Sequence, residues 1–197
     1  MNLIENQLKR QELMEIIKRN GIIVSGQSII LSSGERSNYY YDLKMVLADP
    51  LGATLIGDLL CDIIAREFGA KSVGGLEMGA VPISTAIIIS SVRKSSSAGI
   101  SQFIVRRNVK THGSGKKEEG YLIDPVVVVD DVMTKGNSVI HAIEAVRCEG
   151  YITAGVVLVI DREVTHNTLK DKVKCLSIFK HSDFKGFIDT KLKEIHQ

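Results

Sequence analysis

The sequence predicts an α/β fold: a mostly parallel central sheet flanked by helices, with a small N-terminal hood. Three observations carry that prediction. Beyond Gly69, short apolar runs alternate with helical stripes, as in strand–helix–strand units. Val126 to Val129 is apolar without polar alternation, as expected for a strand covered on both faces. Residues 1–45 do not follow the alternation and are expected to form much of the hood. The 197 residues, 44% of them hydrophobic, suit a single domain over 1–197 with a core large enough to fold alone.

The elements follow in order. Residues 3–19 read as an amphipathic helix, with Ile4, Leu8, Ile16 and Ile17 among its apolar positions and Gly21 just past its end. Residues 28–31 and 39–43 read as short strands around the turn Ser33-Gly34-Glu35-Arg36. Asp49 can cap a second helix and Pro50 fits its first turn. Leu51, Leu55, Leu59 and Ile63, with Ile56, Leu60 and Ile64, form its stripe, and Gly69 stops it. Strands are then expected at 72–74, 103–106, 126–129 and 155–160. Helices are expected at 82–92 and 139–148, the latter closed by Gly150. Residues 166–197 suggest another strand and a C-terminal helix, with no function legible in them.

Composition excludes several classes. A net charge of +2 gives no global field for nucleic acid, so anion binding must be local. Cys61, Cys148 and Cys175 make neither a CxxC pair nor a metal-spaced cluster, and they read as reduced, buried thiols of a cytoplasmic protein. The polar opening Met1-Asn2-Leu3-Ile4-Glu5 is unlike a signal peptide. The longest apolar stretch, 80–89, is too short to span a bilayer, which needs roughly 20 such residues.

Chemistry concentrates where the valine strand ends. Asp130 and Asp131 are followed by Val132, Met133, Thr134, Lys135, Gly136, Asn137 and Ser138, and then by a helix. Ligands of open α/β sheets bind at the carboxyl ends of strands. A helix N-terminus offers unpaired N–H groups and a positive dipole end to a phosphate. Gly136 allows close backbone approach, and the hydroxyls of Thr134 and Ser138 add donors. The two carboxylates suit sugar hydroxyls or a hydrated metal ion. The GxxxxGK[ST] and GxGxxG spacings are both absent.

This segment resembles the signature by which type I phosphoribosyltransferases bind 5-phosphoribosyl 1-diphosphate. The resemblance implies that Asp130 and Asp131 meet the ribose hydroxyls and that the loop from Val132 to Ser138 holds the 5′-phosphate. It also implies magnesium, carried by diphosphate, ribose hydroxyls and water near the two acids rather than by direct protein ligands.

Further segments bear on the acceptor. Arg106, Arg107, Lys110 and His112, with Gly113, Gly115 and Gly120 nearby, read as a mobile cationic lid able to stabilise a departing diphosphate and exclude water. The spacing is similar to the Arg-Lys-x-x-Lys-x-His-Gly lid of the orotate phosphoribosyltransferase family, with Arg107 replacing a usual lysine. The segment 31–42, with Tyr40 and Tyr41, resembles that family's orotate hood. Arg162 matches its orotate-gripping arginine, whose planar fork suits a carboxylate or carbonyl edge, and Thr134 is its other orotate contact. The segment 75–82 resembles its diphosphate loop. Two departures stand out: Ser32 and Gly79 occupy positions where many members carry lysine. Lys44 and Lys135 are the candidates to compensate.

The resemblance implies transfer of phosphoribosyl to orotate, giving orotidine 5′-monophosphate and diphosphate in pyrimidine biosynthesis. Lys110, His112 and Asp131 would be catalytic, Asp131 in a proton-handling role. The lid would act across a homodimer, and no nucleic acid or membrane partner is expected. The phosphate loop alone also admits a purine phosphoribosyltransferase or a non-catalytic sensor of phosphoribosyl diphosphate.

Overall fold

Helix α1 (Leu3–Ile16) opens the computed structural model, which describes residues 3–30, 34, 36–94, 99–107, 118–164 and 169–195. The sequence places α1 correctly, but its last turn widens into a π-helical turn over Ile17–Gly21. The inward face is formed by Leu13, Ile16 and Ile17, whereas Ile4 and Leu8 remain exposed. Strands β1 (Ile22–Ile30) and β2 (Arg36–Tyr41) then form a separate antiparallel pair. The first is much longer than the expected 28–31. The second ends at Tyr41, because Leu43 already begins a short helix, α2 (Leu43–Ala48). Burial decides this point: Leu43 and Val46 are both fully buried, at the i, i+3 spacing of one helix face.

Asp49 caps α3 (Pro50–Glu67) as expected, its Oδ1 accepting from the N–H groups of Leu51 and Gly52 at 2.9 Å each. Most of the stripe packs inward, although Leu51 is exposed. Gly69, with φ 57°, ends the helix by donating to the Ile64 carbonyl. Next come β3 (Ser72–Leu76), α4 (Ala80–Lys94), β4 (Ser101–Val105) and β5 (Glu118–Gly120). They are followed by β6 (Val126–Met133), α5 (Asn137–Cys148), β7 (Thr153–Asp161), β8 (Cys175–Lys180) and α6 (Lys185–Ile195).

The six-stranded sheet has the order β5-β4-β3-β6-β7-β8, and the edge strand β5 is its antiparallel member. The valines of β6 explain how the layers hold together. Val127 and Val129 join the cluster containing α1, α3 and α4, while Val126 and Val128 join the cluster containing α5. Each side chain is fully buried, at a gain of about 1.5–3 kcal/mol apiece. A polar residue at any of these positions would lose that gain and meet no solvent on either face.

The hood is fastened by the chain's far end. Arg10 donates to the Ile178 carbonyl at 3.1 Å and pairs with Asp183 at 2.8 Å. Helix α6 packs on β1. The cysteines form no disulfide: Cys61 is buried as expected, but Cys175 is half-buried and Cys148 exposed. Among the described residues, no helix is long and apolar enough to cross a membrane.

Candidate active site

The chain leaves β3 toward β4 on one side, and β6 leads to β7 and β8 on the other. The sheet therefore reverses its winding between β3 and β6, and a crevice opens at their carboxyl ends. A cavity of about 350 Å³ occupies this place. Its walls include Leu76 at the end of β3, Asp130 to Met133 at the end of β6, Arg162 just past β7, and Tyr40 and Tyr41 from the hood.

The acids are held by their own backbone. Asp130 Oδ1 accepts from the Asp131 N–H at 3.0 Å, and Asp131 Oδ1 from the Val132 N–H at 2.7 Å. Burial at the strand end, and next the charge of Asp131, push the Asp130 carboxyl up to about 8. The N–H from Asp131 opposes this shift without overcoming it. Two carboxylates this close hold a proton between them more readily than either would alone.

After Met133 the chain turns through Thr134, Lys135 and Gly136 into α5. Gly136 has φ 81°, a left-handed conformation that suits glycine, and it is the N-cap of the helix. It makes no side-chain capping hydrogen bond. No N-cap oxygen therefore competes with an anion for the first N–H groups of α5, and the helix dipole favours negative charge there. Thr134, Gly136, Asn137 and Ser138 all line the cavity; Lys135 belongs to the loop but not to the wall.

The opposite wall comes from β7 and the hood. The Arg162 N–H donates to the Met133 carbonyl at 3.0 Å, which ties the two strand ends together. Its guanidinium lies 4.7 Å from the Tyr39 ring centroid. Of the neighbouring acids, Asp161 pairs with Lys170, and Glu163 accepts from the Ser182 N–H at 2.8 Å. Tyr41 is buried, and its hydroxyl bonds His181 Nδ1 at 2.9 Å. Burial raises that hydroxyl above the ordinary tyrosine range. Lys44 stands near this rim, 3.6 Å from Asp42 Oδ1. Tyr40 first, and then Asp42 and Asp131, favour its charged form.

The sequence-predicted residues thus divide. Tyr40, Tyr41, Arg107, Arg162, the acid pair and most of the loop meet in one cavity. Arg106 turns aside to Glu119 at 2.8 Å and Glu77 at 3.8 Å. Lys110, His112 and Ser32 lie outside the described residues. Sequence reasoning missed His141 on the wall and His181 behind it; Leu76 and Tyr39 lie inside the segments 75–82 and 31–42 but were not singled out. His141 was within reach of helical spacing, since it follows Ser138 by three residues on the same face of α5. Nothing local marked His181.

No family model matches the chain. It is 38% identical to the orotate phosphoribosyltransferase of Aquifex aeolicus over 182 residues, covering 89% of this chain and 97% of that protein. It is 35% identical to that of Methanocaldococcus jannaschii, covering 86% and 93%. Among solved structures, it is similar to orotate phosphoribosyltransferase of Mycobacterium tuberculosis in complex with 5-phospho-alpha-D-ribosyl 1-diphosphate. That likeness has a TM-score of 0.70 and 30% identity, and covers 90% of this chain and 99% of the other.

Proposed function

The chain belongs to the orotate phosphoribosyltransferase family, and from that membership we infer that one wall of its cavity takes the sugar-phosphate donor and the other the pyrimidine acceptor. The reaction transfers the 5-phosphoribosyl group of 5-phosphoribosyl 1-diphosphate to orotate, yielding orotidine 5′-monophosphate and diphosphate in pyrimidine biosynthesis. The observation that carries the division is the cavity itself. An acid pair and an uncapped helix start face it from β6 and α5, and an arginine and two tyrosines from β7 and the hood.

On the donor wall, Asp130 and Asp131 hold the ribose hydroxyls. Val132 to Ser138, with the first N–H groups of α5, hold the 5′-phosphate. The transition state resembles an oxocarbenium ion, so it needs orientation and charge stabilisation more than a protein nucleophile. Asp131 handles the proton, in company with Asp130. Arg107, Lys110 and His112 close over the departing diphosphate, and Arg106 steadies the start of that lid through Glu119 and Glu77. On the acceptor wall, Arg162 and Thr134 grip orotate, with Tyr40 and Tyr41 against its ring.

Magnesium fits the acid pair as an ion borne by the substrate. Burial, and next the charge of Asp131, raise the Asp130 carboxyl, and a nearby cation would relieve the second of these. When bound, the ion neutralises charge on the diphosphate. The working form is a cytoplasmic homodimer in which each lid serves the neighbouring subunit.

The test mixes the protein with 5-phosphoribosyl 1-diphosphate, magnesium and, in turn, orotate, adenine, hypoxanthine or uracil. Loss of orotate absorbance, and turnover of no other base, is expected. Turnover of a purine instead would reassign the acceptor wall.

A further inference from the structure

We propose that His181 is a positioning residue for the acceptor wall, holding Tyr39 and Tyr41, and through Tyr39 the guanidinium of Arg162, in the arrangement that receives orotate. The inference rests on the acceptor reading above and names a residue from a segment in which the sequence showed no function.

His181 opens a short 3-10 turn, His181–Asp183, directly after β8. Its ring stacks on Tyr39 at 5.0 Å with an interplanar angle of 7°. The same Tyr39 ring carries the Arg162 guanidinium at 4.7 Å. Cation, phenol and imidazole are therefore linked through one ring, and a shift of His181 would move the surface on which Arg162 rests. Tyr41 supplies a second tie, through its hydroxyl on His181 Nδ1 at 2.9 Å and its edge-on contact with Tyr39 at 5.7 Å. The third tie is in the backbone. Ser182 donates to Glu163, the residue after Arg162, which sits at φ 55°. Tyr41 and Arg162 line the cavity, whereas His181 and Tyr39 stand behind them.

The protonation pattern agrees with this geometry. Tyr41 keeps its hydroxyl proton, which it can donate to Nδ1 in the neutral tautomer that carries the ring proton on Nε2. Burial, and then the charge of Arg162, hold His181 below its ordinary range and so in the neutral form.

The experiment compares kcat and both KM values for the unaltered protein and for His181→Ala, His181→Phe and His181→Asn. His181→Ala should raise the orotate KM about tenfold while the phosphoribosyl diphosphate KM stays within about twofold. Phe restores the stacking surface and Asn an acceptor, so each should recover part of the loss. Should His181→Ala fail to fold, the Phe and Asn variants decide alone. An unchanged orotate KM in all three, or equal rises in both KM values, overturns the inference while the acceptor reading stands. Absence of orotate turnover in the unaltered protein removes that reading and the inference with it.

Discussion

Gly79 lies directly against Asp130: a Cβ on the glycine would stand 3.0 Å from Asp130 Oδ1 and 3.1 Å from Asp131 Oδ1. Both oxygens are already held by backbone N–H groups, so neither retreats without losing a hydrogen bond. Gly79→Ala should raise the KM for phosphoribosyl diphosphate roughly fivefold to tenfold, since one such bond is worth about 1 kcal/mol. Steady-state kinetics at saturating orotate would measure it. An unchanged KM would mean that the acids have room to turn aside.

Asp130 gives the protein a pH signature. Its carboxyl titrates at about 8 in the folded chain, above the usual carboxylate range. The folded state therefore holds that proton more tightly than the unfolded one. The ligand-free protein should lose stability as pH rises from the carboxylate range through about 8. Asp130→Asn removes the effect. Its melting temperature should exceed that of the unaltered protein at pH 8 and match it at pH 4, while turnover falls by at least about tenfold.

Lys110→Ala tests the lid. If the lysine meets diphosphate as it leaves, kcat should drop on the order of a hundredfold, with the circular dichroism spectrum and melting temperature unchanged. Near-normal kcat would defeat the lid assignment.

His181 predicts a second, opposite pH effect. It titrates below the ordinary histidine range, and Tyr39, Tyr41, Arg162, Glu163, Lys185 and Asp189 are the polar and charged groups about it. A base with a depressed folded pKa contributes stability above its unfolded value, and loses it as pH falls through the folded one. Protonation removes the acceptor of Tyr41 and sets a second cation beside Arg162. The orotate KM should rise as pH is lowered from 7 to 5, more steeply in the unaltered protein than in His181→Phe.

Phe184 tests the anchoring of this region. It is fully buried, 5.9 Å from the Tyr41 ring and 5.3 Å from Phe179. Phe184→Ala should cost about 3–5 kcal/mol of stability, read from urea unfolding. A cost below about 1 kcal/mol would mean that the tail is not a structural part of the hood.

What could be read from the sequence was whatever a single stretch encodes by itself. The four valines, the acid pair and Gly136 fall within 11 consecutive positions, and strand, cradle and helix start follow from them. Asp49 and Gly69 marked the ends of α3 through local chemistry of the same kind. Helix α2 escaped because six residues leave too little periodicity to distinguish a helix from the end of β2. Strand β5 escaped because Glu118-Glu119-Gly120 is polar, as an exposed edge permits. Tyr39 meets both Arg162 and His181 from a distant segment, and no spacing rule joins residues that far apart in the sequence.

The fastening of the hood by the far end of the chain has a consequence for synthesis. A ribosome releases the β6 cradle well before it releases β8, His181 and α6. On the proposed division of the cavity, the donor half can form while the acceptor wall still lacks its backing. If His181 backs the acceptor wall as proposed, base selection is acquired after the cradle, and removing β8 and α6 should impair it while sparing the donor side.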